Sequence, residues 1–408
     1  MSYSHQITAG FVPLLDSALL VVAKEQGFAQ EEDLELSLVR ERSWASIRDR
    51  LAVGHFEVAH ILAPMPIACN LGLTAPAPRM IVPMALGLGG NGVTVSDDLW
   101  RRMVEHGATA DLDARTNGLA LRRVLSERLS EKLRFAVVHP YSAHNYELRY
   151  WFSANAIEPD RDIDMLVLPP PDMGDALMEG AIDGYCAGEP WNSFGTLKRG
   201  GHLATVKAEI WKSSPEKVLG VNGRWGDAHP EAMAALLRSL YKASLWCADP
   251  ANRQTLATLL AAPSYIDRPA ELLLPALSGV LPTGGGEMRA VRDFFVPNAK
   301  AATFPWKSHA LWFYTQMVRW GQVAHSATHQ QVAGNTYRPD IYREALKTLG
   351  VAMPSASAKV EGALRAETPV GSSGALTLGP DGFFDGNLFD PDRVESYIAS
   401  QRTDPIGA

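Results

Sequence analysis

Apolar positions in the first two thirds of the chain switch between a period of two and a period near three and a half. "QITAGFV" and "LELSLVR", with Leu34, Leu36 and Leu38 alternating, read as strands. Between them, Asp16 is placed to cap a helix through "SALLVVAKEQ" that stops at Gly27. Ser43 is placed to cap "WASIRDRLAVG", where Ile47 and Leu51 stand one turn apart and Gly54 marks the end. "FEVAHIL" and the helix-like "APMPIACNLGL" complete a βαβα order. The order recurs as "RFAVVHP", "YELRYWFSAN", "DMLVLP", "DMGDALMEG" and "AIDGYCAGEP". Such alternation predicts mostly parallel sheets covered by helices. Two blocks, near 1–85 and 130–190, predict two α/β lobes rather than one large sheet. Between them lie "GLGGNGV", a hinge or a surface turn, and a charged helical stretch from "DDLWRRMVEHG" to "LRRVLSERLSEKL". From about 227 the pattern is helical, and from about 352 an Ala-, Ser-, Gly- and Pro-rich tail is expected to wrap the body.

Composition narrows the class. The 408 residues carry 38 Lys plus Arg against 45 Asp plus Glu, a formal charge of −7 that argues against a general nucleic-acid binder. Cys69, Cys186 and Cys247 form no CxxC or Cys/His cluster, so neither a structural zinc nor a disulfide framework is expected. The opening "MSYSHQITAGFVPLLDSALLVVAKEQGF" lacks a basic leader, a continuous apolar core and a lipid-acceptor cysteine, and no charge-free segment reaches spanning length. A cytoplasmic protein with no membrane contact is the expectation.

No GxSxG elbow, GxxxxGK[ST] loop or HExxH appears, so no enzyme is expected and no cofactor or metal is implied. Gly87, Gly89 and Gly92 have the spacing of a dinucleotide fingerprint, but strand-like "VTVS" follows where a helix is required. What recurs instead are polar groups at strand ends, where open α/β sheets gather ligands. Trp44 opens the helix after the second strand. "HPYSAHN" places His139, Ser142, His144 and Asn145 in one strand-to-helix turn. Glu189 follows the last strand of the second block, and "EIWKSSPEKVLG" offers Lys212 and Lys217 as balancing cations. This set of donors suits holding a small oxyanion.

Longer motifs carry a resemblance. "SWASIRDRLAVG", "AHILAPMPIACNLGL", "LRYWFSANAIEPDRDI", "IDGYCAGEPWN", "EIWKSSPEKVLG", "FPWKSHALWFYTQMVRWG" and "FFDGNLFDP" are similar to the nitrate/bicarbonate-binding proteins of ABC importers, over nearly the whole chain. The resemblance implies a type II periplasmic-binding-protein fold, with residues 1–90 plus 220–408 as lobe 1, 91–219 as lobe 2, and an oxyanion in the cleft between them. It also implies that Trp44, His139 (or His144) and Lys212 hold the anion. Asn91 stands where the nitrate-binding branch carries a glutamine. Without an export leader, the chain resembles the cytoplasmic nitrate/nitrite sensors of this family. Their expected partner is a NasT-like ANTAR-domain RNA-binding antiterminator, held without ligand and released by nitrate or nitrite. An importer subunit is the alternative. Bicarbonate binding, with Glu189 as the nearest carboxylate, and a pyrimidine-precursor enzyme on the same fold are further ones.

Overall fold

The computed structural model describes residues 3–127, 131–371 and 375–401. Parts of the expected charged helical stretch (128–130) and of the tail (372–374 and 402–408) lie outside the described residues. Ten strands build the two main sheets: β1 (His5–Phe11), β2 (Leu34–Arg40), β3 (Val58–Leu62), β4 (Met80–Ala85), β5 (Asn91–Val95), β6 (Leu133–Val137), β7 (Ile163–Val167), β8 (Gly184–Gly188), β9 (His202–Val206) and β10 (Lys217–Asn222). The first sheet runs β2-β1-β3-β10-β4 and the second β7-β6-β8-β5-β9. They share one topology. In each, four strands run in one direction and the fourth in order runs against them.

That reversed strand is the one the chain makes just after crossing from the other lobe: β5 after the 86–90 segment, β10 after the 207–216 segment. A strand entering from the cleft side begins where its neighbours end. The amino ends of β5 and β10 therefore lie beside the carboxyl ends of the other eight. Strand β10 starts at Lys217, three residues before the return to lobe 1 expected at 220. The glycine segment 86–90 is held against 293–297: Gly89 has φ +76, and a Cβ there would sit 2.1 Å from the Phe294 carbonyl oxygen. Only glycine fits that approach.

Local signals read from the sequence act as follows. Ser43 caps the helix Trp44–Ala52, its Oγ accepting from Ser46 N at 3.2 Å. Asp16 is not the cap expected of it: the helix Ala18–Glu25 has no side-chain cap, and the Asp16 carboxylate turns to His60 and Lys217 instead. Ion pairing inside the protein outweighs one capping bond. The helix Pro230–Ala248 packs against the helices Ala18–Glu25 and Pro339–Leu346 and touches β1 and β2 of the first sheet. The tail crosses the 207–216 segment, with Phe384 N donating to Ile210 O and Lys212 N to Gly382 O. One apolar cluster joins both lobes, with Leu14 and Trp44 of the first and Val93 and Trp191 of the second. Among the described residues no helix is long and apolar enough to cross a membrane.

Candidate functional site

The shared topology brings the strand ends of both lobes face to face, and the polar residues there form one buried cluster. Asp16 follows β1, Trp44 follows β2 and His60 lies in β3. Asn91 opens β5, His144 and Glu147 lie on the helix after β6, Lys207 follows β9, and Glu216 and Lys217 lead into β10. All are nearly withdrawn from solvent.

Ion pairs run through the middle. Lys207 Nζ lies 2.7 Å from both Glu147 Oε1 and Glu216 Oε2. Lys217 Nζ donates to Glu216 Oε1 and, at 3.1 Å, to Asp16 Oδ2. Asp16 Oδ1 is 2.8 Å from His60 Nε2. Asn91 Nδ2 donates to Glu216 Oε2 at 2.6 Å, and His144 Nε2 stands 3.4 Å from Glu216 Oε1. Lys217 also sits over the Trp44 ring, 5.3 Å from its centroid, a cation–π placement. The Trp44 and His60 rings are 5.3 Å apart.

Burial and these charges set the protonation. Burial opposes ionisation of Glu216, yet His144, Lys207 and Lys217 hold its carboxyl well below the usual range. Burial likewise opposes ionisation of Asp16, but Lys217 and His60 keep it low. Burial pushes Glu147 up to about 8 against the pull of Lys207. It pulls His144 down to about 3 and lowers His60. Lys217, although burial disfavours its charge, is raised by Asp16 and Glu216. At neutral pH Lys217 thus stays an ammonium against the Asp16 and Glu216 carboxylates, with Glu147 and the His144 imidazole neutral.

Several polar atoms in the cluster have no hydrogen-bond partner among the described residues: Trp44 Nε1, His60 Nδ1, Asn91 Oδ1 and both His144 ring nitrogens. Buried polar atoms are seldom left so. Gathered where two lobes meet, around two lysines, they mark this cluster as the candidate site.

The turn "HPYSAHN" divides its work. Ser142 caps the helix Ala143–Ala154 by accepting from Asn145 N at 3.0 Å, and Asn145 Nδ2 donates to Pro140 O at 2.8 Å. His139 Nδ1 accepts from Tyr141 N at 3.0 Å, and burial, with Arg48 nearby, lowers the ring to about 4. Only His144 reaches the cluster. Of the residues named from the sequence, the structure brings together Trp44, Asn91, His144 and Lys217. His139 is spent on its own turn. Lys212 is exposed and lines a separate pocket of about 140 Å³ with Glu209, Arg292 and Asp293. The reason is register: Lys212 lies in the loop covered by the tail, whereas Lys217 starts a strand whose end faces the cleft. Glu189 sits at the lobe contact, its carbonyl accepting from Leu15 N at 2.8 Å and its carboxylate from Ser193 N at 3.1 Å. Burial pushes its acid up to about 7.

Asp16 was read from the sequence only as a helix cap, and His60, Glu147, Lys207 and Glu216 were not singled out. A signal existed for some: His60 interrupts the apolar "VAHIL", and Glu147 faces inward on an otherwise aromatic helix face. A larger surface pocket of about 830 Å³, lined in part by Asn70, Arg79, Lys307 and Arg338, lies outside the cluster. Two of its cations are already engaged, Arg79 by Asp227 at 2.5 Å and Arg338 by Asp340 at 2.6 Å. It is the weaker candidate despite its size.

Comparison with known proteins agrees with this architecture. The family model described as NMT1-like matches residues 2–261. The nitrate/nitrite binding protein NrtA of Synechococcus elongatus is 33% identical over 406 residues, covering 96% of this chain and 85% of that protein. The bicarbonate-binding protein CmpA of the same species is 29% identical, covering 97% and 86%. The crystal structure of the periplasmic nitrate-binding protein NrtA from Synechocystis PCC 6803 superposes with a TM-score of 0.85 at 26% identity, over 98% of each chain. Two lobes of matching topology, a cluster where their strand ends meet, and relatives aligned over nearly the whole of this chain lead to one conclusion: the chain belongs to the NMT1-like family, among the NrtA/CmpA-like nitrate/bicarbonate substrate-binding proteins.

Proposed function

We propose that this chain binds a small planar oxyanion, nitrate or nitrite, between its lobes and performs no chemistry on it. The observation that carries the reading is the convergence of the Trp44 indole N–H and the His144 ring, both buried without a hydrogen-bond partner, with the Asn91 amide around Lys207 and Lys217. Indole, imidazole, amide and ammonium groups donate to an oxyanion without offering an activated nucleophile. Cys186, the thiol nearest these charges, is held well above its ordinary pKa by burial and then by Glu147, so it is no thiolate. Calorimetry of the full chain with nitrate, nitrite and bicarbonate is the test. Absence of binding by all three would remove the reading.

The finer role follows from the sequence resemblance. In it, the chain is a cytoplasmic sensor that holds a NasT-like antiterminator through the separated lobes and releases it when the anion draws them together. A partner that prefers one lobe arrangement must weaken anion binding by the factor by which the anion weakens the partner. Nitrate titrations with and without the antiterminator check this; equal affinities contradict it. The relatives' membership of ABC importer systems supports a second reading, a binding component that delivers the same anion to a transporter. Anion-dependent capture by importer subunits, with no effect of the antiterminator, would favour it.

A further inference from the structure

Two ammonium groups sit at the heart of the proposed anion site, yet both are already matched to carboxylates, so an entering anion meets no free positive charge. Glu216 is the residue that takes the donors. Its Oε2 accepts from Lys207 Nζ at 2.7 Å and Asn91 Nδ2 at 2.6 Å. Its Oε1 accepts from Lys217 Nζ and faces His144 Nε2 at 3.4 Å. A carboxylate is planar, singly charged and presents two oxygens on a trigonal carbon. Nitrite, nitrate and bicarbonate share that shape and charge. The four groups around Glu216 come from the segments 207–216 and β10, from the start of β5 and from the helix after β6, so they span both lobes.

We propose that Glu216 is a built-in stand-in for the oxyanion, occupying its donors until the incoming anion displaces it. The inference rests on the anion-binding reading of the cluster and adds the residue that sets its affinity. Binding is then an exchange. Each anion that enters must return Lys207, Lys217 and Asn91 to roughly the contacts they gave up, and Glu216 must turn away to water or take a proton. The carboxyl groups that remain facing the site are Asp16, beside His60 and Lys217, and Glu147, beside Lys207. Glu147 is kept protonated more readily than a free carboxylic acid by its burial, so it is the lesser competitor for the lysines. The net gain on binding is a difference between two similar sets of bonds, which keeps affinity modest and favours planar over tetrahedral anions. A chain that must report changes in anion concentration, rather than scavenge traces, benefits from such a counterweight.

The test is calorimetry of the wild-type chain and Glu216→Gln with sodium nitrite, nitrate and bicarbonate. The Gln side chain keeps the shape and one acceptor but removes the competing charge. The expected result is binding at least about tenfold tighter by the variant for one of the three anions. A merely structural Glu216 would give weaker or equal binding, and either result overturns the inference while leaving the anion-binding reading intact. A silent wild type with a binding variant contradicts both, because the native chain then takes none of the three anions. Silence in both proteins sinks the functional reading and this inference with it. Should the variant fail to fold, a crystal structure of the wild-type chain with bound anion decides. Glu216 withdrawn from Lys207 and Asn91, with anion oxygens in its place, is the expected outcome; an intact Lys207–Glu216 pair beside the anion overturns it.

Discussion

Two buried ion clusters of similar composition lie in this molecule, and they serve different ends. The tail cluster gathers Lys359, Glu361 and Asp381 with Ser308 and His309. Lys359 Nζ bonds to both carboxylates, Ser308 Oγ donates to Glu361 at 2.6 Å, and Leu364 N donates to Asp381 at 2.8 Å. Burial opposes ionisation of Glu361, but Lys359 and His309 bring it down to about 2. Most of its partners lie within some twenty residues of one another in the tail, so the cluster stitches a strap to the body. The cleft cluster instead joins residues up to 201 positions apart, Asp16 and Lys217 among them, and draws on both lobes. Any separation of the lobes takes it apart and leaves the tail cluster whole. The same buried pairing is a fastener where its partners lie in one strap, and in the proposed function becomes a receptor where they come from two lobes.

The largest expected effect tests that contrast at the receptor. Lys217→Met should abolish measurable anion binding, a loss of about 5 kcal/mol, because it removes one of two cations the guest must meet. Calorimetry checks it, and an affinity within threefold of wild type would contradict the assignment. Next comes the fastener. Lys359→Met strips the cation from two carboxylates and should cost about 4 kcal/mol of unfolding free energy in urea. Its anion affinity should stay within about twofold of wild type; a large change there would merge the two clusters into one functional unit.

A smaller effect concerns pH. The Glu189 acid is raised from 4.5 to about 7 by burial, so the folded chain keeps a proton that the unfolded chain has released. Its contribution is present at pH below 4.5 and is lost as pH rises toward 7, up to about 3 kcal/mol. Glu189→Gln should therefore gain stability relative to wild type between pH 5 and 8, read from paired denaturation curves. A constant difference across that window would mean that the acid is not held protonated. The smallest effect is expected of Lys212→Ala. Exposed and outside the cluster, it should shift anion affinity by less than about 0.5 kcal/mol. A tenfold loss would move the site to its pocket.

Much of the lobe architecture was legible because apolar periodicity follows burial. Period-two runs such as Leu34, Leu36 and Leu38 became β2, and the turn at Ser43 capped its helix as its chemistry suggests. Strand β10 lies in "EIWKSSPEKVLG", which the sequence reading took for its lysines, and "HLATV" of β9 opens on a polar residue right after a glycine pair. Trp44 and His144 stood out as aromatic or polar groups at strand ends, and Asn91 came in only through the family resemblance. Asp16 was assigned a capping role because a carboxylate before an apolar helix has that local use. Its actual partners, His60 and Lys217, lie 44 and 201 residues away.

The order of apolar and polar residues determined by itself the alternation of strands and helices, the presence of two lobes and the kinship of the chain, since each depends on local propensity or on long matching motifs. Only the tertiary structure decided which lysine and which histidine face the cleft. Lys212 and Lys217 are five residues apart in one motif, and His139 and His144 share one turn. Which of each pair meets the other lobe depends on where a strand begins and a helix face points, and on charges brought together from distant parts of the chain.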